Sequence, residues 1–211
     1  MAQKINIFDE IRFDAKSRNR SIEWYMQKVK ELKSRGLVTQ NKLFTYDEML
    51  TNDLEVGSMY LYIYDPKYKA TLPVYDVFPL CLPFGADKDT FTGFNLHYVP
   101  QRVRWALLKE LSKINNFSVA KNKIENDRKM QLSWELLRNS AKASVLEPCI
   151  HKYLYTHVIS RSGGKFLKID PNDWHMAILL PVEDFRKGST KTRKGYSSVK
   201  SSDVWKGKFY E

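Results

Sequence analysis

Between Ile22 and Leu32 the apolar positions recur at helical spacing. Ile22, Tyr25, Met26, Val29 and Leu32 form one stripe, while Lys28, Lys30, Lys33 and Arg35 lie off it. Ser21 can cap such a helix, Glu23 suits its electropositive first turn, and Gly36 can take the left-handed conformation that ends it. The pattern predicts an amphipathic helix over 21–35, its stripe laid on the body of the protein or on a neighbour. From Gly57 the period changes. Met59–Tyr64, Val77–Phe84 and Phe91–Tyr98 are short, aromatic and branched, as strands are, with turns expected at Asp65-Pro66-Lys67 and Gly85-Ala86-Asp87. Proline cannot donate to a ladder, so Pro79 and Pro83 place the middle strand at a sheet edge or a bulge. Asn95 and His97 alternate with Phe94, Leu96 and Tyr98, the pattern of a strand with one packed face.

Helical spacing returns after Pro100, a good first-turn residue, with Val103, Leu107, Leu111 and Ile114 on one face. A polar linker over 115–126 precedes a helix expected over 127–142, with Met130, Trp134, Leu137 and Ala141 on one side. A third helix is expected from Glu147-Pro148, carrying Ile150, Tyr153, Leu154, His157 and Val158 until Ser162-Gly163-Gly164 breaks it. Phe166–Ile169 reads as a strand, the run from Asp170 to Trp174 as a turn, and Ala177–Leu180 as buried. Residues 186–200 contain Lys187, Lys191, Arg193, Lys194 and Lys200 and no acid, among Ser, Thr and Gly. They are expected to form a flexible basic tail, with Val204-Trp205 and Phe209-Tyr210 as late apolar anchors.

A helix, several short strands, helices and further strands, without βαβ alternation, predict an α+β fold. The expected units are an N-terminal helical arm over 1–56, an α+β core over 57–185 with a helical insertion at about 100–164, and the basic tail over 186–211. The core is expected to be a small, strongly bent antiparallel sheet, of which an SH3-like open barrel is one form.

Charge changes the picture more than any motif does. Thirty-five Lys and Arg against 24 Asp and Glu give +11 over 211 residues, so the chain should attract polyanions: nucleic acid, an acidic protein partner or an anionic membrane face. With 43% hydrophobic residues it has the material for a core and is not expected to be disordered. No apolar run approaches the ~20 residues that cross a bilayer, so no membrane partner is expected. The first residues, Met1 to Asn6, lack the apolar region of a secretory signal. Two cysteines, Cys81 and Cys149, cannot build a disulfide framework.

Catalytic signals are weak. His151 and His157 are six residues apart, too far round one helix to share an ion, and no Cys-x-x-Cys or His-x-x-x-His spacing supports a metal. Gly163-Gly164-Lys165 lacks the rest of a phosphate loop, and there is no nucleophile elbow. Glu135 lies in Leu132-Ser133-Trp134-Glu135-Leu136, but no Glu-x-Lys triplet accompanies it, so a magnesium-dependent nuclease is a minor reading. No cofactor, metal or small-molecule substrate is expected. What remains is basic residues among aromatics: Arg18, Arg20, Lys28 and Lys30 beside Trp24 and Tyr25, and Lys187, Lys191, Arg193, Lys194 and Lys200 around Tyr196. The cations would hold phosphates and exposed rings could stack on unpaired bases, although Trp24 and Tyr25 serve equally well to dock the helix.

Several phrases belong together as a series: Tyr64-Asp65-Pro66-Lys67, Leu72-Pro73-Val74-Tyr75-Asp76-Val77-Phe78-Pro79-Leu80, Gly93-Phe94-Asn95-Leu96-His97-Tyr98-Val99-Pro100, Pro148-Cys149, Lys152-Tyr153-Leu154, Asp173-Trp174, Leu180 to Phe185, and Val204-Trp205. Over about residues 57–206 they resemble a family of small virion-associated proteins of large T-even-like tailed bacteriophages, of the DNA end protector or head-completion type. The resemblance implies a virion protein, synthesised in the host cytoplasm, that meets packaged DNA or closes the head–tail junction. It supplies no active-site residues.

Read on their own, Asp65, Pro66, Pro73, Asp76, Asn95, His97 and Trp174 look like residues that fix a fold. The two prolines bracket a rigid loop, Asp76 can accept backbone N–H groups, and His97 is expected to bond the Asp65–Asp76 loop. The leading expectation is a non-enzymatic phage protein that binds DNA, duplex ends included, through its basic segments. The alternative is a structural component of the neck, tail or baseplate whose partners are other phage structural proteins.

Overall fold

The computed structural model describes residues 6–16, 20–114, 147–159, 163–192 and 195–207. Its strands are β1 (Leu50–Thr51), β2 (Met59–Tyr64), β3 (Tyr75–Asp76), β4 (Leu80–Ala86), β5 (Thr90–Asn95), β6 (Ile150–Leu154), β7 (Val158–Ile159), β8 (Phe166–Ile169), β9 (Phe185–Thr192) and β10 (Gly195–Val199). The longer helices are α1 (Ile7–Ala15), α2 (Ile22–Ser34) and, after the four-residue α3 (Gln40–Leu43), α4 (Gln101–Ile114). The fold is α+β. One sheet runs β1-β8-β2-β4-β5-β6, with β7 also on β2; a second runs β10-β9-β3. Every pairing among the described residues is antiparallel.

All six side chains of β2 are buried, and their period of two divides them between opposite faces. Met59, Leu61 and Ile63 join the main core with Leu80, Leu82, Phe94, Leu167 and Ile169. Tyr60, Tyr62 and Tyr64 enter a second, aromatic cluster with Phe91, Tyr153 and Phe166. Tyr62 on β2 and Tyr153 on β6 have ring centroids 5.5 Å apart, although β4 and β5 lie between their strands. In a flat sheet three strand spacings would separate them by about 14 Å, so the sheet curls strongly. It does not close, because β1 and β6 end its path.

The main cluster also draws Ile7, Phe8 and Ile11 from α1, Tyr25, Val29 and Leu32 from α2, and Val204 from near the C-terminus. The end of α2 has the expected chemistry: Gly36 has φ +70°, Gly36 N donates to Lys33 O, and Leu37 N donates to Leu32 O. Ser21 Oγ accepts from Trp24 N at the other end.

Of the two settings expected for the proline-bearing strand, edge or bulge, the bulge holds: β4 is an interior strand between β2 and β5, and its register shifts between Pro83 and Gly85. Three expectations are corrected. The chain remains in β4 through Ala86, so the turn comes later. Asn95 ends β5 and His97 lies in a 3₁₀ turn, Leu96–Tyr98, where Asn95 Oδ1 accepts from His97 N. Residues from Glu147 onward form a 3₁₀ turn and β6, not a helix; β6 adds its branched and aromatic residues to the open edge of β5. The expected helix over 127–142 and the linker before it lie outside the described residues.

The segment expected as a flexible tail is a hairpin, β9 on β10, and β9 also pairs with β3. Gly188 lets it dock: a Cβ there would stand 1.7 Å from Lys69 O and 2.5 Å from Leu72 O. Backbone on both sides cannot give way as a side-chain tip could. Gly188→Ala is expected to cost about 1–3 kcal/mol, with the hairpin lifting from the loop. Denaturant melts would measure the loss, and limited proteolysis should cut the hairpin first.

Candidate nucleic-acid interface

Three segments meet at Asp76, at the end of β3. Its Oδ1 accepts from Phe78 N at 2.9 Å and Asp184 N at 3.4 Å, and its Oδ2 from Asn95 Nδ2 at 3.1 Å. His97 Nδ1 lies 2.8 Å from Oδ2. Burial alone would raise the carboxyl, but the imidazole charge and these donors win and hold it below the usual carboxylate range. One turn into α4, Arg104 is buried beside this group. It donates from Nε to Val99 O, from Nη1 to Ile178 O, and from Nη2 to His97 O and Glu183 Oε1. Trp205 Nε1 also donates to His97 O. Asp76, Asn95, His97 and Arg104 are buried, while Glu183 and Trp205 are half-buried at the edge of the group. The network is a keystone joining β3, the Leu96–Tyr98 turn, α4 and the C-terminal segment.

The other motif residues are structural too. Asp65 accepts from Lys69 Nζ and, through its carbonyl, bonds His157 Nδ1 at 2.7 Å. Pro66 is buried at the start of that loop and Pro73 is exposed near its end. Trp174 is buried and donates from Nε1 to Ile169 O. Its neighbour Asp173 is also buried, and Oδ1 has no hydrogen-bond partner among the described residues, Arg12 Nε standing 3.3 Å away as an ion pair. Burial pushes this carboxyl up to about 6; Arg12 opposes the rise, and Asp170 and Asp9 add to it. A raised carboxyl favours the fold when protonated, so stability is lost as pH climbs from ~4 towards 6. Asp173→Asn is therefore expected to melt higher than the wild type at pH 7.5, with the gap closing by pH 4.

The predicted cations divide. Lys28 forms ion pairs with Asp14 and Glu31. Lys30 is exposed on α2. Arg20 is half-buried, its guanidinium 5.2 Å from the centroid of the Trp24 ring. Tyr25 is buried in the core, so it docks α2. Lys187 is half-buried on β9, Lys191 pairs with Tyr196 across the hairpin, and Lys200 is exposed after β10. Arg18, Arg193 and Lys194 lie outside the described residues, as does Glu135.

Among the described residues, two cavities bear on these cations. One, of about 330 Å³, is lined by the loop that carries Lys67, Tyr68 and Pro73 together with Lys152 and Tyr153 of β6; the hairpin lies against the same loop. The other, of about 700 Å³, opens between the start of α2, α4 and the Pro171–His175 segment. Their linings share no residue; Arg20 lines the second, whereas Lys30, Lys187 and Lys200 line neither. The sequence reading missed Arg104, Trp105, Lys109 and His175. Arg104 had a signal: it shares a face with Leu107, Leu108 and Leu111, where a solvated arginine would not sit.

Among the described residues there is no cluster of three metal-ligating side chains. Burial pushes both the Cys81 and Cys149 thiols up to about 12, so neither is a nucleophile at neutral pH. No described helix is long and apolar enough to cross a membrane.

The sequence model of a protein family described as "Phage T4 terminal DNA protecting protein" matches residues 5–207. The chain belongs to this family. No curated protein matches the chain. No solved structure matches it either. The family match spans α1 and α2, both sheets and the hairpin alike, so the keystone at Asp76 and both cavities lie within the matched residues.

Proposed function

We propose that this protein binds the ends of phage DNA without cutting them, as a virion-associated cap that excludes nucleases. The observation that carries this reading is membership of a terminal DNA protecting family over residues 5–207. Charge supports it. Each internal ion pair removes one cation and one acid together, so pairs such as Lys28–Asp14, Arg35–Glu10 and Arg186–Asp184 leave the +11 surplus untouched. That surplus resides in cations such as Lys30, Lys67, Lys152 and Lys200, which face solvent. Binding then rests on phosphate neutralisation, with steep salt dependence and little base readout.

The test is exonuclease protection. Linear duplex should be shielded at low salt, with affinity falling roughly 10³-fold or more between 50 and 200 mM salt for six or more phosphate contacts. Covalently closed circular duplex should compete poorly for the protein. Equal competition by circular DNA would show backbone binding without end recognition, and no binding at low salt would remove the reading.

A further inference from the structure

The cavity at the start of α2 combines two kinds of wall. On one side Tyr25, Trp105 and His175 form an aromatic corner: Tyr25 lies 4.7 Å from His175 and 5.9 Å from Trp105, ring centroid to centroid, and Trp105 lies 6.5 Å from His175. On the other stand Arg20 and Lys109, and no carboxylate is among the described lining residues. Arg20 lines the cavity, and its Nε, shut off from water, has no hydrogen-bond partner among the described residues. The first turn of α2, thirteen residues long, adds the positive end of its dipole. Glu23 lies in this first turn and its carboxylate pairs with Arg102. Burial lowers His175 from its ordinary range, so at neutral pH it is an uncharged ring.

We infer that this cavity receives an unpaired terminal nucleotide of DNA, its base against the Trp105–His175 corner and its phosphate on Arg20 and the α2 N-terminus. The inference rests on the proposed DNA-end reading and deepens it. A volume of about 700 Å³ suits a small ligand. Aromatic faces are useful to a base only once it has left the duplex stack, and a cationic partner beside them suits its phosphate. A protein built this way tells an end from the middle of a duplex, because only an end offers a base free of its partner.

The experiment compares a short 5′-phosphorylated duplex bearing single-stranded overhangs with the same duplex cut blunt. Affinity is read by titration and tryptophan quenching, and circular dichroism checks the fold of each variant. The wild type should bind the overhang duplex about ten-fold tighter than the blunt one, with quenching. Trp105→Ala should abolish that preference. Arg20→Gln should reduce the preference and flatten its salt dependence, and it carries the test if Trp105→Ala does not fold. Equal affinity for the two duplexes, or a preference that survives both substitutions, overturns the assignment while leaving end protection standing. Failure to bind either duplex overturns both.

Discussion

Asp76→Ala is expected to lower the stability of this protein by about 3–5 kcal/mol, the range found when one partner of a buried charged pair is removed. Two backbone N–H groups, the Asn95 amide and the His97 ring lose their shared acceptor at once, in a place where water cannot replace it. Asp76→Asn should recover little, since its NH₂ group would face donors. The wild type supplies a pH signature. A depressed carboxyl stabilises the fold fully above its unfolded value of ~4, and the contribution disappears as pH falls below that. Asp173 acts in the opposite sense over the next interval, so the two carboxyls place the stability maximum between them. Denaturant melts at stepped pH would show the acid limb missing from Asp76→Asn.

Arg104→Met should be of similar size, about 3–5 kcal/mol, because it strands the Glu183 carboxylate in a buried position. Adding Glu183→Met in the same chain removes the stranded charge and should restore much of the loss. It should not restore all of it. Val99 O and Ile178 O also accept from the guanidinium, and each unpaired buried carbonyl leaves a deficit of about 1 kcal/mol. His97 O keeps a donor in Trp205 Nε1. A double variant as weak as the single one would mean that the carbonyls, not the ion pair, are what Arg104 is there to satisfy.

Local rules reached the elements whose cause is local. α2 was legible because cap, stripe and terminal glycine lie within sixteen residues, and β2 and β8 because their branched and aromatic residues form unbroken runs. β6 was misread because Ile150, Tyr153, Leu154, His157 and Val158 also fit a helical stripe; the free edge of β5, which settles the matter, comes more than fifty residues earlier. The hairpin of β9 and β10 hid behind its composition. Serine, threonine, glycine and lysine read as solvated chain, but a ladder needs only backbone groups and a partner, and β3 supplies the partner. The same distance effect governs the site. Nothing in the sequence near Lys28 announces that Asp14 of α1 will neutralise it, and the cavity at α2 exists only once α4 and Pro171–His175 are placed beside it.

The pairing of β1 with β8, of β3 with β9, and the bond from Trp205 to His97 join residues more than a hundred positions apart. A chain emerging from the ribosome therefore holds β2 and β4 with β8 still missing, and Asp76 with one of its donors not yet made. Such topology folds slowly and late. Productive assembly must wait until Trp205 has been made, and a premature stop ahead of it would yield a chain lacking this fastening of its own interior and open to proteolysis.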